Sequence, residues 1–177
     1  MSKSLSCLTS LAILNILAAC STTPSVAVKT DYDHSVTFGK YHTYALDTAS
    51  IGLSPTGKEA LQSSLRSSLA GRGLKESASN SDLYIVPSVF TQARLNVMPG
   101  GGYTYYPSTY GGYRMGTRTM NAEVQQYTEG TLVIDFVDRK THKIVYRGLG
   151  QAAVGSTERN AAAIQVAVEK IVAAYPG

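Results

Sequence analysis

The chain has 177 residues, of which 44% are hydrophobic and 16% are charged, so it is long enough for one domain with its own core. Lys and Arg number 16 against 12 Asp and Glu, and the resulting net charge of +4 is scattered along the chain. Nucleic-acid-binding proteins need a concentrated basic patch, so this composition argues against a nucleic-acid partner.

The N-terminus has the pattern of an export signal. Lys3 precedes an apolar stretch over residues 8–19. A membrane-spanning helix needs about 20 apolar residues, whereas the hydrophobic region of a signal peptide is shorter. We therefore predict a cleaved signal peptide over residues 1–19.

The end of this stretch reads Leu17-Ala18-Ala19-Cys20, which resembles the lipobox of bacterial lipoproteins at all four positions. The resemblance implies that a signal peptidase recognises Leu17, Ala18 and Ala19, and that acyl chains are attached to Cys20. Two or three acyl chains anchor a protein stably in a membrane. An ordinary secretory signal that happens to contain a cysteine is the alternative.

The lipobox has three consequences for the mature chain. Residues 20–25 form a short lipidated tether, and residues 26–177 form a single domain. Cys7 is discarded with the signal peptide, so the mature chain has no internal disulfide. Ser21 stands where an Asp would favour the inner membrane, so the sorting rule favours the outer membrane, with the domain facing the periplasm.

Alternating apolar residues predict two short strands, over residues 26–32 and 41–46. A helix follows, with Ser54 as its N-cap and Pro55 in its first turn. Its apolar stripe consists of Leu61, Leu65 and Leu69. Glycines at positions 71 and 73 predict the end of this helix.

Beyond a turn near Asn80, residues 83–97 predict a third strand, in which Pro87 indicates a free edge or a bulge. Residues 99–118 are rich in Tyr and Gly and are predicted to form a loop. A strand-like pattern resumes at Thr119, and residues 130–153 predict a β-hairpin. A final amphipathic helix is predicted over residues 158–174.

The predicted order is β-β-α-β-β-β-α. Two amphipathic helices cannot bury their apolar stripes alone, so both should pack on one face of a mainly antiparallel sheet. The expected fold class is therefore α+β, a two-layer sandwich.

Several local phrases along this order resemble a known family. They are VKTDYD at residues 28–33, FGKYHTY at 38–44, SDL at 81–83, EGTLVID at 129–135, VYRG at 145–148 and the terminal Tyr175-Pro176. Together they resemble the bacterial lipoprotein family catalogued as domain of unknown function 4136. The resemblance implies location and fold, but brings no activity, cofactor or catalytic residues. The chain departs from such families in having Tyr44 and Tyr146 where Trp is frequent.

Motifs for catalysis and metal binding are weak. A metal site built on His34 and His42 would need Asp31 or Asp33 beside it. A hydrolase would need a nucleophile elbow, which is missing, or a carboxylate pair among four aspartates. These are Asp31, Asp33, Asp135 and Asp138.

Residues 148–153 match the pattern G-x-G-x-x-A, but no parallel β-α-β unit surrounds them. We interpret Gly148 and Gly150 as strand irregularities that allow close packing. The sequence thus favours a protein that is not an enzyme and has no cofactor or metal.

The Tyr/Gly-rich segment is the best candidate for binding, because Tyr offers a flat apolar face and a hydroxyl. Its candidate residues are Tyr103, Tyr105, Tyr106, Tyr110, Tyr113 and Arg114. Arg94 and Arg118 lie nearby. The segment could contact an envelope protein, a glycan or a membrane interface; a plain insertion at a hairpin tip is the alternative. We therefore expect a lipid-anchored envelope protein that binds or assembles with a partner, or alternatively binds glycans or lipopolysaccharide.

Overall fold

A computed structural model of the chain describes residues 23–48, 51–107 and 113–177, without the side chains of residues 97–107 and 113–123. The predicted signal peptide and Cys20 lie outside the described residues. The described elements are β1 (Ala27–Tyr32), β2 (Thr43–Leu46), α1 (Pro55–Gly71), β3 (Lys75–Glu76), β4 (Leu83–Pro107), β5 (Tyr113–Asp138), β6 (Ile144–Ala153) and α2 (Thr157–Ala173). A short 3-10 helix, Phe38–Lys40, precedes β2.

The strands form one open sheet in the order β1-β6-β5-β4-β2-β3. The pairs β1–β6, β6–β5 and β5–β4 are antiparallel, whereas β2 runs parallel to both β4 and β3. The sheet is therefore mixed. With both helices added it confirms the predicted α+β fold, and the two-residue β3 is an addition to the predicted order.

Helix α1 begins and ends where the sequence predicts. The Ser54 hydroxyl accepts a hydrogen bond from the Gly57 backbone N–H at 3.2 Å, which satisfies a donor that the first turn would leave free. Pro55 occupies the first turn. Gly73, just beyond the helix, has φ +78°, a backbone conformation that favours glycine.

The two helices lie side by side and run in the same direction. Near their N-terminal ends, Gly57 of α1 lies against Ile164 of α2. At their C-terminal ends, the Arg72 guanidinium donates a hydrogen bond to the carbonyl of Ala173. Both helix N-termini therefore lie at the same end of the sheet.

Helix α2 packs very closely on β6. A Cβ added at Gly148 would lie 2.2 Å from Ile171 Cγ2, and one added at Gly150 would lie 2.7 Å from Ala167 Cβ. Only glycine allows this approach, so the packing role predicted for these glycines is confirmed. The predicted irregularity is wrong, since β6 pairs in regular register with β5 at both positions.

The core lies between the helices and one face of the sheet. Its fully buried side chains come from every layer of the fold: Leu61, Leu65, Leu69, Leu83, Ile85, Ile134, Phe136, Tyr146, Val168 and Ile171. Phe136, Tyr146 and Tyr175 form an aromatic cluster with ring centroids 5.0–5.4 Å apart. The Tyr44 and Tyr146 side chains, at the positions where Trp is frequent, are buried in this core.

The structure corrects one element. The predicted loop over residues 99–118 is largely strand, because β4 continues through Pro107 and β5 begins at Tyr113. The ladder between the two strands continues to the pair Pro107 and Tyr113, with one shift between Tyr103 and Tyr105. Tyr and Thr favour strands, and the pairing continues past the glycines that suggested a loop.

Candidate functional site: a two-stranded arm and the cavity at its base

Strands β4 and β5 continue well beyond the helices as a two-stranded arm, which we define as residues 91–107 and 113–130. At about 3.3 Å per residue the arm is roughly 55 Å long. Its register begins at the pair Thr91 and Gly130 and ends at Pro107 and Tyr113. The arm therefore lengthens the sheet without adding to its core.

Both edges of the arm lack a neighbouring strand within the described part of the chain. On one side, β2 pairs with β4 only as far as Ile85. On the other side, the last contact to β5 is the hydrogen bond from the Val154 N–H to the Thr128 carbonyl, at 2.8 Å. Pro87 follows the end of the β2 pairing, so its missing N–H falls on the free edge of β4, as predicted. Free strand edges are templates for pairing with another chain.

One face of the arm carries exposed apolar side chains, and Val154, just after β6, lies against the arm at Gly130. We call this set the apolar stripe: Ala93, Leu95, Val124 and Val154. Leu95 is 67% exposed, Val124 is 55% exposed and Val154 is 44% exposed. Leu95 pairs with Gln126, so Val124 is its diagonal neighbour on the same face. These side chains share the uncharged face at the base of the arm with Gln126 and Thr128.

A cavity of about 280 Å³ opens where this stripe meets the body of the protein. Its lining is mainly apolar and comes from the sheet, both helix N-termini and the start of β1. The lining includes Val26, Val89, Leu132, Ala152, Ile164 and Ala167. Ser54 and Asn160, at the starts of the two helices, supply polar atoms at its rim. Its size and lining suit a small apolar group.

The opposite face of the arm's base is charged. The Arg94 guanidinium lies 3.0 Å from the Glu129 carboxylate, and Gln151 donates to the same carboxylate at 3.3 Å. Tyr127 pairs with Arg94 in the register and is 39% exposed. The two faces therefore differ in charge: one is uncharged and carries exposed aliphatic side chains, and the other carries an ion pair.

The structure places most of the predicted binding residues at the far end of the arm. In the backbone register, Tyr103 pairs with Arg118, Tyr105 with Met115, and Tyr106 with Arg114. Tyr113 starts β5 opposite Pro107, and Tyr110 lies outside the described residues. Cys20 and the recognition residues Leu17, Ala18 and Ala19 also lie outside them. The apolar stripe and the cavity were not predicted from the sequence. The only signal for them was the alternation of the apolar residues Leu95 and Val97.

A polar cluster around Asp138 lies at the end of the sheet opposite to the arm. The Asp138 carboxylate is only 5% exposed and accepts hydrogen bonds from the Tyr41 hydroxyl at 2.7 Å and from two backbone N–H groups, of Lys140 and Thr141. Burial raises the pKa of Asp138, but these hydrogen bonds and the Lys40 ammonium outweigh burial and lower it to about 2. This cluster holds the β5–β6 turn in place.

The other aspartates considered for catalysis also have local partners. Asp135 forms a bidentate ion pair with Arg147 at 2.6 and 2.7 Å. Hydrogen bonds from the Ser35 side chain and backbone lower the pKa of Asp33. Asp31 accepts from the Tyr32 N–H at 3.0 Å. A general acid needs a raised pKa, and the shifts of Asp33 and Asp138 go the other way.

The three histidines lie in different local surroundings. His42 follows the 3-10 helix, and its backbone N–H donates to Asp82 at 2.9 Å. His142 has φ +55° in the β5–β6 turn. The His34 ring contacts the Tyr32 ring at an interplanar angle of 49°, with ring centroids 4.3 Å apart. Among the side chains that the structure describes, no three His, Cys, Asp or Glu residues form a metal-binding group.

The family of the chain follows from a comparison with protein-family models. The model of the domain of unknown function DUF4136 matches residues 28–177, which is most of the chain. The chain belongs to the DUF4136 family. This confirms the resemblance found in the sequence, and the match covers every strand and helix described above except the first residue of β1. No curated protein sequence matches this DUF4136 chain.

Solved structures resemble the DUF4136 chain only distantly. A PDZ domain protein from Parabacteroides distasonis has a TM-score of 0.51 and 17% identity, over 87% of this chain and 36% of that one. The chain thus spans about a third of that protein's length, and the likeness concerns the fold alone. A PelC dodecamer from Paraburkholderia phytofirmans has a TM-score of 0.46 and 10% identity, over 85% of this chain and 100% of that one.

A neuraminyllactose-binding hemagglutinin homolog from Helicobacter pylori has a TM-score of 0.32 and 14% identity, over 75% of this chain and 80% of that one. Neither this likeness nor that to the PelC dodecamer is close enough to carry an argument. Separately, none of the helices in the described ranges has the length and apolar character needed to cross a bilayer.

Proposed function

We propose that this protein is a lipid-anchored component of the bacterial cell envelope that acts as a non-enzymatic binding or assembly module at the outer membrane, facing the periplasm. The sequence Leu17-Ala18-Ala19-Cys20 supports the anchor. The arm is the observation that carries the binding role. Within the described ranges, neither of its edges has a neighbouring strand, and it carries exposed apolar side chains; in a protein without a partner these features are a liability for aggregation.

The anchor is tested by labelling cells with a palmitate analogue. We expect label on the wild-type protein and none on the Cys20→Ser variant, because Cys20 supplies the acylated thiol. Cys7→Ser is the matched control and should keep the label, since residue 7 belongs to the cleaved signal peptide. A wild-type protein that carries no label would exclude the anchor.

The role of the arm is tested by shortening it at a position where its register is known. Pro99 and Ala122 pair in the ladder, so residues 100–121 can be replaced by Asn-Gly, which favours a two-residue hairpin turn. The wild type and this variant are crosslinked in intact cells and purified. We expect a discrete envelope partner with the wild type only, and equal thermal stability of the two proteins. Capture of the same partner by both would exclude the outer part of the arm and place recognition on the body or on the retained base of the arm.

A second candidate function is binding of glycans or lipopolysaccharide at the end of the arm. The register that pairs Tyr103 with Arg118 and Tyr106 with Arg114 favours it, because it places tyrosines and arginines at opposite positions of the ladder. Rings can stack on sugars, and guanidinium groups bind phosphates. The double variant Arg114→Gln and Arg118→Gln should then lose binding to purified lipopolysaccharide, whereas Lys143→Gln, at the other end of the sheet, should not. Equal binding by all three proteins would refute this candidate.

A further inference from the structure

We propose that the apolar stripe at the base of the arm is a second membrane contact, which rests on the headgroup region of the bilayer and holds the arm along the membrane surface. The inference rests on the proposed lipid anchor and adds the surface of the folded domain that meets the lipid. The occupant of the stripe is thus the bilayer itself.

The first argument is the point where the tether leaves the fold. Ala27 pairs with Gln151, near the end of β6 from which the arm continues. Val26, just before it, lines the cavity at the base of the arm. The tether, the cavity and the arm therefore share one end of the molecule.

The second argument is the length of the tether. Cys20 precedes Val26 by six residues, which span at most about 20 Å when extended. The 10 residues of β6 alone span roughly 33 Å. A tether this short cannot reach around the body. The end of the molecule that carries the arm must therefore face the membrane.

The third argument excludes deep insertion. The arm is roughly 55 Å long, so an arm pointing straight at the membrane would pass through the hydrocarbon core. Both edges of the arm carry backbone groups that no strand of the described chain pairs, and each such group costs several kcal/mol in hydrocarbon. An arm that lies flat at headgroup depth keeps its edges hydrated.

The chemistry of the two faces selects the one that meets the lipid. On the stripe side, the positions from 91 to 95 and from 124 to 130 that share this face hold no ionisable residue: Thr91, Ala93, Leu95, Val124, Gln126, Thr128 and Gly130. The other face carries the exposed Phe90 ring but also the Arg94–Glu129 ion pair, which would lose hydration against lipid. Leu95, at 67% exposure, is the most exposed of the large apolar side chains in the described residues.

The test uses single-cysteine labels on the full-length protein. Cys7 and Cys20 are the two cysteines of the chain, so once the first is cleaved off and the second is acylated, no thiol competes with an added one. Leu95→Cys places an environment-sensitive fluorophore on the stripe. Tyr127→Cys is the matched control, because Tyr127 is 39% exposed and neighbours the Leu95 pair in the ladder, but lies on the charged face of the arm. Both proteins are purified from membranes and reconstituted in phosphatidylethanolamine–phosphatidylglycerol vesicles that contain nitroxide-labelled lipid.

Two readouts separate this inference from the anchor on which it rests. Flotation of the unlabelled protein with the vesicles reports the anchor, and nitroxide quenching reports the distance of each label from the lipid. We expect flotation together with quenching several-fold stronger at position 95 than at position 127. Flotation with equal quenching at both positions, or with stronger quenching at position 127, would overturn the membrane contact and leave the anchor standing. Failure to float would remove the anchor and the contact with it.

Discussion

The inner third of the β4–β5 ladder and the arm contain the same two strands paired in the same antiparallel ladder, but in opposite environments. Residues 83–90 and 131–138 lie under the helices, where Ile85, Ile134 and Phe136 are fully buried. In the arm, Leu95 and Val124 are more than half exposed. A backbone hydrogen bond contributes little net stability when water can replace it, so burial rather than the ladder makes the inner third stable. The arm is therefore available for contacts outside the domain.

The largest expected effect compares two aliphatic residues of β4. Ile85→Ala removes a fully buried side chain and should lower the free energy of unfolding by about 2–5 kcal/mol. Leu95→Ala removes an exposed one and should change it by less than about 0.5 kcal/mol. Urea denaturation of both variants measures the difference. Similar losses for the two would mean that the arm belongs to the core after all.

The contact between α2 and β6 provides a second test of how much burial stabilises the body. Gly148→Val should lower the free energy of unfolding by about 3 kcal/mol, because its Cβ would overlap the Ile171 side chain. Gly71→Ala is the control, since no atom lies within 4 Å of the added Cβ. Thermal unfolding should separate the two variants, and an unchanged midpoint for Gly148→Val would contradict the close packing.

Asp138 predicts how stability depends on pH at the end opposite to the arm. Its pKa in the folded state is about 2, below its ordinary value, so its contribution is complete above about pH 4 and is lost as the pH falls towards 2. At about 1.4 kcal/mol per pKa unit, the contribution is about 2 kcal/mol. Asp138→Asn should lose it, and its unfolding free energy should fall less than that of the wild type between pH 4 and about 2. Parallel curves for the two proteins would show that the carboxylate is not the group responsible.

The smallest expected effect lies at the base of the arm. The Arg94–Glu129 pair is partly exposed, and such pairs contribute about 0–1 kcal/mol. A double-mutant cycle with Arg94→Ala and Glu129→Ala should give a coupling energy of this size, weakened by salt. A coupling energy well above this range would indicate that this part of the arm is packed more tightly than its exposure implies.

Local features of the fold were predictable from single segments. Ser54 and Pro55 set the start of α1, and the Leu61, Leu65 and Leu69 stripe fixed its buried face. The β5–β6 hairpin was predictable because its alternation and polar turn are adjacent in sequence. The parallel pairing of β2 with β4 and the two-residue β3 were not, because they depend on contacts between distant segments.

The candidate site was predicted only in part. The Tyr/Gly composition directed attention to the correct segment, but the glycines suggested a loop where the backbone continues as strand. Strand formation there depends on each strand having the other as its partner, which composition does not show. The apolar stripe was missed because Leu95 and Val124 follow the same alternating pattern as core residues. They are exposed because the helices do not extend far enough to cover them.

The sequence by itself determined the helices, the strand pattern of the body, the family and the expectation of a lipid anchor at Cys20. These depend on local spacing, since a capping residue, an apolar period or a short motif acts over a few neighbouring residues. The tertiary structure alone decided that the start of β1, the cavity and the arm lie at one end of the molecule. Their shared position follows from the antiparallel run of β1 on β6 and from the parallel run of the two helices, relations between segments that local spacing does not encode.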